Sequence, residues 1–129
     1  MNIPDHLRYT KTHEWASVNE KTVKTGLTEY AQKELSDVVY IELPQIGRKV
    51  KQGESIAIVE SVKAAFDIYA PVTGEISAVN KSLEADPSLI NRDSYGSGWL
   101  FEIKTGEGSG MEKLMDKNAY SQLIAQAAH

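Results

Sequence analysis

Along the middle of the chain, apolar and polar side chains alternate with a period of two. Phe66, Ile68, Ala70 and Val72 interleave with Asp67, Tyr69, Pro71 and Thr73, which predicts a strand with one buried face. Short β-forming runs bounded by turn residues predict strands over His13 to Val18, Thr22 to Leu27, Val38 to Leu43, Ser55 to Ser61, Ala64 to Tyr69, Gly74 to Val79 and Leu100 to Lys104. That spacing predicts a mainly β fold, a compact sandwich or flattened barrel. Helical spacing is confined to Thr28 to Leu35, one turn after Pro87, and the stretch from Met111 onward. Ser109 and Glu112 form an S-x-x-E capping box beside Met111, Leu114 and Met115, and Asn118 is placed to cap a second helix carrying Tyr120, Leu123 and Ile124. The region from about 109 to 127 is therefore expected to be a small helical annex. Gly106 to Gly110 is glycine-rich like a phosphate loop, but neither a Rossmann unit nor a Walker lysine follows, so it reads as a linker.

A weak internal repeat marks the centre. Gly53-Glu54 opens the run Ile56, Ala57, Ile58, Val59, and Gly74-Glu75 opens Ile76, Ala78, Val79. Lys63 lies between the copies, ten residues after Gly53 and eleven before Gly74, which predicts a hairpin over about 53 to 80 with this lysine at its tip. Most lysines near turns are solvated charges. This one is flanked by Val62, Ala64 and Ala65, where an ordinary loop would carry Gly, Asn, Asp or Pro, so a contact partner for the tip is expected. A near-symmetric hairpin with a single lysine suits an enzyme that selects one amine by shape and modifies it. Use of the amine as a Schiff-base nucleophile would need burial or a neighbouring cation to lower its pKa, and the tip offers neither in an obvious way. Borohydride trapping of a carbonyl substrate on the unmodified chain would be needed to sustain that alternative.

Composition narrows the field. With 129 residues the chain has the length of one domain, and its 41% hydrophobic and 25% charged residues indicate neither a disordered tail nor a coiled coil. No aliphatic run exceeds Ile56 to Val59 and Met1 to Lys11 has no apolar segment, so neither a membrane partner nor secretion is expected. The net charge of -4 has the wrong sign for releasing counterions from phosphates, so nucleic acid is not an expected partner. There is no cysteine, which excludes disulfides, thiolate nucleophiles and thiolate metal sites. Any sulfur chemistry must arrive with a cofactor. Of His6, His13 and His129, only His13 sits in a patterned segment; it and Trp15 are expected to pack in the core, and no His, Asp and Glu cluster has metal-ligand spacing. Tyr95 to Trp99 reads as a turn with an aromatic anchor.

These segments resemble a known family. Glu60-Ser61-Val62-Lys63-Ala64-Ala65, followed by Asp67-Ile68-Tyr69-Ala70-Pro71-Val72-Thr73-Gly74-Glu75, is similar to the lipoyl-attachment region of glycine cleavage system H proteins. Tyr9-Thr10-Lys11-Thr12-His13-Glu14-Trp15 resembles their N-terminal signature, Gly26-Leu27-Thr28-Glu29-Tyr30-Ala31-Gln32 their early strand-to-helix step, and Asp37-Val38-Val39-Tyr40-Ile41-Glu42-Leu43-Pro44 the next strand. Tyr95-Gly96-Ser97-Gly98-Trp99-Leu100 and the helical C-terminus extend the likeness over essentially the whole chain. Biotin carriers use the same kind of hairpin but usually flank the lysine with methionines, where this chain has Val62 and Ala64. Lipoyl domains of 2-oxo acid dehydrogenase complexes would not be expected to carry the N-terminal signature or the C-terminal helices.

The resemblance implies one lipoyl-domain-like unit over 1-129, a flattened barrel of two antiparallel sheets with short helices, monomeric when free. It implies lipoate in amide linkage at Lys63, so that the chain is a non-catalytic carrier visiting separate active sites on a swinging arm. A pyridoxal-phosphate glycine decarboxylase would load an aminomethyl group, a tetrahydrofolate-dependent aminomethyltransferase would remove the one-carbon unit and release ammonia, and dihydrolipoamide dehydrogenase would reoxidise the arm. Thr12, Glu14 and Asp67 are implied as the cleft that shelters the loaded arm. Thr12 and Glu14, two apart, are expected to share a strand face, with Asp67 on the returning strand. Glu60 and Gly74 are implied in recognition by lipoate-attaching enzymes, Gly74 by permitting a tight turn. The alternative is a relay passing octanoyl or lipoyl groups to other carriers, which reconstituted glycine turnover would discriminate. Without an arginine-rich presequence a bacterial cytoplasmic location is expected, although a mature mitochondrial-matrix chain would look similar.

Overall fold

The computed structural model describes residues 1–127. Nine strands are present there: β1 (Arg8–Tyr9), β2 (Glu14–Asn19), β3 (Thr22–Leu27), β4 (Val38–Glu42), β5 (Lys49–Val50), β6 (Ser55–Ser61), β7 (Ala65–Tyr69), β8 (Gly74–Val79) and β9 (Phe101–Lys104). Helices α1 (Glu29–Leu35), α2 (Ser82–Ala85), α3 (Leu89–Arg92) and α4 (Lys117–Ala127) join them, with a 3-10 turn at Met111–Lys113. The strands form two antiparallel sheets, one ordered β1-β2-β3-β9-β8-β5 and the other β4-β6-β7, and these do not close into a single ring. The expected class, mainly β with two antiparallel sheets and short helices, is what the chain adopts.

Alternation along the strands builds the core. Ile41, Val59 and Ile68 of the smaller sheet and Val23, Ile76 and Ile103 of the larger belong to one buried cluster, each side chain contributing roughly 1.5–3 kcal/mol by leaving water. A second cluster gathers Leu7, Tyr9, Trp15 and Tyr120, through which α4 is seated against β1 and β2. Tyr9 and Tyr120 stack with ring centroids 4.7 Å apart, and Trp15 Nε1 donates to the Ser94 carbonyl at 2.9 Å. Trp15 is therefore in the core as expected, whereas His13 is only half-buried. Tyr95 anchors its turn: its hydroxyl donates to the Asn2 carbonyl and accepts from the Glu29 amide.

Several details depart from the sequence pattern. The hairpin is β6 and β7, spanning 55–69, and not 53–80, because at Ala70–Thr73 the chain crosses to the larger sheet, where β8 pairs with β5 and β9. Phe66, expected on a buried face, is 41% exposed while Ile68 is 1% exposed, because Phe66 stands at the tip end of β7, the edge strand of the smaller sheet, whereas its partner Val59 on the central β6 is 1% exposed. Asn118 lies inside α4; the Asp116 carboxylate caps it, accepting from the Ala119 amide at 2.9 Å. Ser109 accepts from the Met111 amide, but Gly110 at φ 81 bends the backbone so that only the 3-10 turn forms where a capping-box helix was expected. The turn after Pro87 is α3. Strands β1 and β5 are two residues long, too short to leave a periodic signal.

Candidate functional site

Lys63 occupies the β6–β7 tip, and Ser61 explains how a turn forms there without Gly or Asn. The Ser61 amide donates to the Ala64 carbonyl at 2.8 Å, and the Ser61 hydroxyl accepts from the Lys63 and Ala64 amides at 3.2 and 3.1 Å. A serine hydroxyl thus ties the turn by bonding backbone two and three residues on. The tip also leans on the α1–β4 connection, where the Val62 amide donates to the Asp37 carbonyl at 2.9 Å. The Lys63 ammonium reaches the Glu34 carbonyl near the end of α1 at 3.4 Å, an exposed and long contact easily given up. Val62 is 68% exposed, so the amine projects from an apolar, accessible knuckle. That arrangement fits a lysine modified by another enzyme, and nothing around it buries the amine as a Schiff-base nucleophile would require.

Glu60 pairs across the small sheet with Tyr40 and Ala65 and is exposed one strand position before Ser61. Gly74 lies elsewhere. It begins β8, pairs with Val50, and does not adopt a left-handed conformation, so it is not the tight turn expected of it. A Cβ on Gly74 would stand 2.6 Å from Ile103 Cγ2, so the glycine is needed for close packing of β8 on β9.

A cleft of about 530 Å³ lies between the N-terminal strands, the β7–β8 corner and the C-terminal segment, lined by Glu14, Thr12, Tyr69, Pro71, Leu114 and Met115 among others. Glu14 forms its buried polar end, only 1% exposed. Its Oε1 accepts from the hydroxyls of Thr10 and Thr12, each at 2.5 Å, and its Oε2 accepts from the Tyr69 amide at 3.1 Å. Strand β7 is an edge strand, and the carboxylate satisfies one of its outward-pointing amides while linking the two sheets. Burial pushes the Glu14 carboxyl above its ordinary pKa, and the hydroxyls and the amide pull it back.

Thr12 reaches Glu14 from a turn, not from a shared strand face. Between them His13 holds a left-handed backbone, φ 74, and its Nδ1 lies 2.9 Å from the Tyr120 hydroxyl. The Tyr120 hydroxyl also meets Thr28 Oγ1 at 2.7 Å. Burial lowers the His13 pKa, opposed by the Glu34 carboxylate. Asp67 is not in the cleft lining: it is exposed, and its Oδ1 accepts from Ser55 Oγ at 3.1 Å. It shares the strand face of Tyr69, one pleat nearer the tip.

Sequence reasoning missed three parts of the site. Thr10 lies in the segment Tyr9 to Trp15, where the alternation Thr10, Thr12, Glu14 is its only sequence signal. The wall made by Lys113, Leu114 and Met115 carries only a helical pattern in sequence; it is held by reciprocal Tyr9 and Met115 backbone bonds of 2.8 Å. Gln52 carried no local signal. Its Nε2 donates to the Pro71 and Gly110 carbonyls at 2.9 and 2.8 Å, bracketing the two cleft walls together. Among the described residues, no three His, Asp or Glu side chains gather to hold a metal ion, and no helix is long and apolar enough to cross a membrane.

Comparison with known proteins bears on the family and the fold. Residues 7–127 match the family model described as glycine cleavage H-protein. The chain is 51% identical over 128 residues to a glycine cleavage system H protein of Thermus thermophilus, covering 99% of this chain and 100% of the relative. It is 50% identical over 119 residues to one from Thermotoga maritima, covering 92% and 96% respectively. The crystal structure of a glycine cleavage system H protein from Mycobacterium marinum superposes with a TM-score of 0.86 at 34% identity, covering 98% of this chain and 100% of that one.

Proposed function

The chain belongs to the glycine cleavage H-protein family, and we propose that it is the lipoylated, non-catalytic carrier of the glycine cleavage system, with lipoate in amide linkage at Lys63. The observation that supports this most directly is the Lys63 tip, an accessible amine on a serine-tied turn, free of any strong partner. Lipoate bound there supplies the ring disulfide that a cysteine-free chain cannot. Its cargo is the aminomethyl unit passed from glycine decarboxylase to the tetrahydrofolate-dependent aminomethyltransferase, and dihydrolipoamide dehydrogenase restores the disulfide. The bacterial relatives support a bacterial cytoplasmic setting.

The chain's own residues do three things in this reading. The tip presents Lys63, with Glu60 beside it as an anionic recognition feature for lipoate-attaching enzymes; Gly74 contributes through the packing of β8 on β9. The apolar wall of Pro71, Leu114 and Met115 covers an arm laid into the cleft and excludes water from it. At the polar end the cargo's ammonium, which has donors and no acceptor, meets the Glu14 carboxylate and the Thr12 oxygen. Asp67 flanks the path from tip to cleft. Sheltering matters because the amine lone pair of the cargo can otherwise expel the thiolate.

Intact and peptide-level mass spectrometry after expression in lipoate-sufficient cells tests the assignment. A lipoyl or octanoyl increment on Lys63 is expected, and Lys63→Arg is expected to abolish both the increment and glycine turnover with the three partner enzymes. A biotinyl increment, or a bare Lys63 while other carriers in the same cells are lipoylated, would overturn it.

A further inference from the structure

Within the polar end of the cleft, Thr10 and Thr12 look alike but are held differently. Each hydroxyl has one proton and directs it to Glu14 Oε1 at 2.5 Å, so their mutual 3.2 Å contact adds no second bond. Thr12 is exposed, and its oxygen keeps acceptor capacity for a newcomer. Thr10 is half-buried, and its oxygen is already engaged by the Glu14 amide at 3.1 Å. Its backbone is tied as well: the Thr10 amide donates to the Glu14 carbonyl at 3.0 Å and the His13 amide donates to the Thr10 carbonyl at 3.2 Å. Thr10 therefore closes a ring with the main chain and side chain of Glu14, which commits its proton and one of its two lone pairs to that residue.

Resting on the cleft reading above, we infer that Thr10 is a positioning residue: its hydroxyl holds the Glu14 carboxylate as a fixed anion facing the cleft, so that the ammonium of the cargo meets charge already in place. Without this donor, a carboxylate 1% exposed would lose one of its three side-chain and main-chain donors beyond its own residue and take up a proton more readily. A neutral acid has less to offer an ammonium. The other titratable groups around Glu14 are Tyr9 of β1, Lys11 and His13 of the following turn, Tyr69 of β7 and Lys113 of the C-terminal segment, with Tyr120 of α4 in electrostatic reach and Asp67 one pleat beyond Tyr69. None of these groups makes a side-chain hydrogen bond to the carboxylate, which leaves that task to the two threonines.

The test follows the Glu14 carboxyl by NMR in unlipoylated protein carrying carboxyl-labelled glutamate. Thr10→Val, nearly the same shape, is expected to move the Glu14 midpoint up by about one unit or more, the size of a lost hydrogen bond to a charged group. Thr10→Ser is expected to restore it. An unmoved midpoint in Thr10→Val overturns the inference; if that variant does not fold, Thr10→Ala deletes the hydroxyl without adding bulk and is judged by the same criterion. In loaded protein, Thr10→Val is expected to release ammonia several-fold faster at mildly acidic pH and to converge on wild type at alkaline pH. Equal acceleration at every pH would indicate mere loosening and would also overturn it. Glu14→Gln separates the two readings: if it leaves release unchanged the cleft assignment fails, whereas fast release with an unmoved Thr10→Val midpoint sinks the Thr10 role alone.

Discussion

The hairpin tip and the cleft solve opposite problems with the same kind of side chain, a hydroxyl donating or accepting across a few residues. At the tip, Ser61 shapes a turn so that Lys63 stands away from the protein, and the amine has only a 3.4 Å contact to give up. In the cleft, Thr10 and Thr12 hold a carboxylate 1% exposed, cross-linked to both sheets. A group to be handled by other proteins must cost little to detach. A group that shelters charge must already be in place when that charge arrives. The tip is therefore the mutable end of the molecule in terms of stability, and the cleft is inseparable from the fold.

Tyr120→Ala breaks the contrast most forcibly. It empties a fully buried aromatic position that closes the second core, and it is expected to lower stability by about 3–5 kcal/mol, the range for deleting a buried aromatic ring. Chemical denaturation measures that loss, while Lys63 lipoylation below the unfolding midpoint is expected to continue, since the tip shares no residue with that cluster. A smaller stability effect is expected for Gln52→Met, which keeps the side-chain length but deletes both Nε2 bonds. It leaves the Pro71 and Gly110 carbonyls without their partner, at about 1–3 kcal/mol. Hydrogen exchange is expected to rise at Met115 and Tyr9, whose amides bridge that wall, and to stay unchanged at Ser61.

The finest test is the pH dependence of stability, because neighbouring residues give it opposite signs. His13 has a folded pKa below its ordinary 6.5, so the unfolded chain binds more protons as pH falls below about that value, and folding weakens through the window down to the lowered value. Glu14 has a folded pKa above its ordinary 4.5. There the folded chain binds more protons, so stability declines as pH rises from that value through the raised one. His13→Asn tolerates the left-handed backbone and is expected to remove the acid-side loss in denaturation midpoints between pH 4.5 and 6.5, exposing the Glu14 slope. An unchanged profile would contradict the assignment of the acid-side loss to His13.

What the sequence determined by itself was local and periodic. Strands β3, β6 and β8 are delimited by alternation and flanking turn residues at the very bounds read from the chain, and Thr28 caps α1 through a bond of its own to the Ala31 amide. Lys63 was legible for the same reason: a tip lysine between two β runs is a short-range pattern. The tertiary structure decided everything that depends on which distant segments meet. Nothing near Gly74 in sequence announces that Ile103 will pack against it, and nothing near Gln52 announces carbonyls at 71 and 110. The cleft is the clearest case. Thr10, Thr12 and Glu14 are neighbours in the chain, but their burial comes from the edge of β7 and a C-terminal wall arriving about a hundred residues later, as does the Tyr120 hydroxyl at His13, at a sequence separation of 107. Local pattern fixes how a segment folds because backbone bonding and side-chain alternation act over a few residues. Desolvation, and with it the character of a carboxylate, is set by whatever the whole chain packs around it.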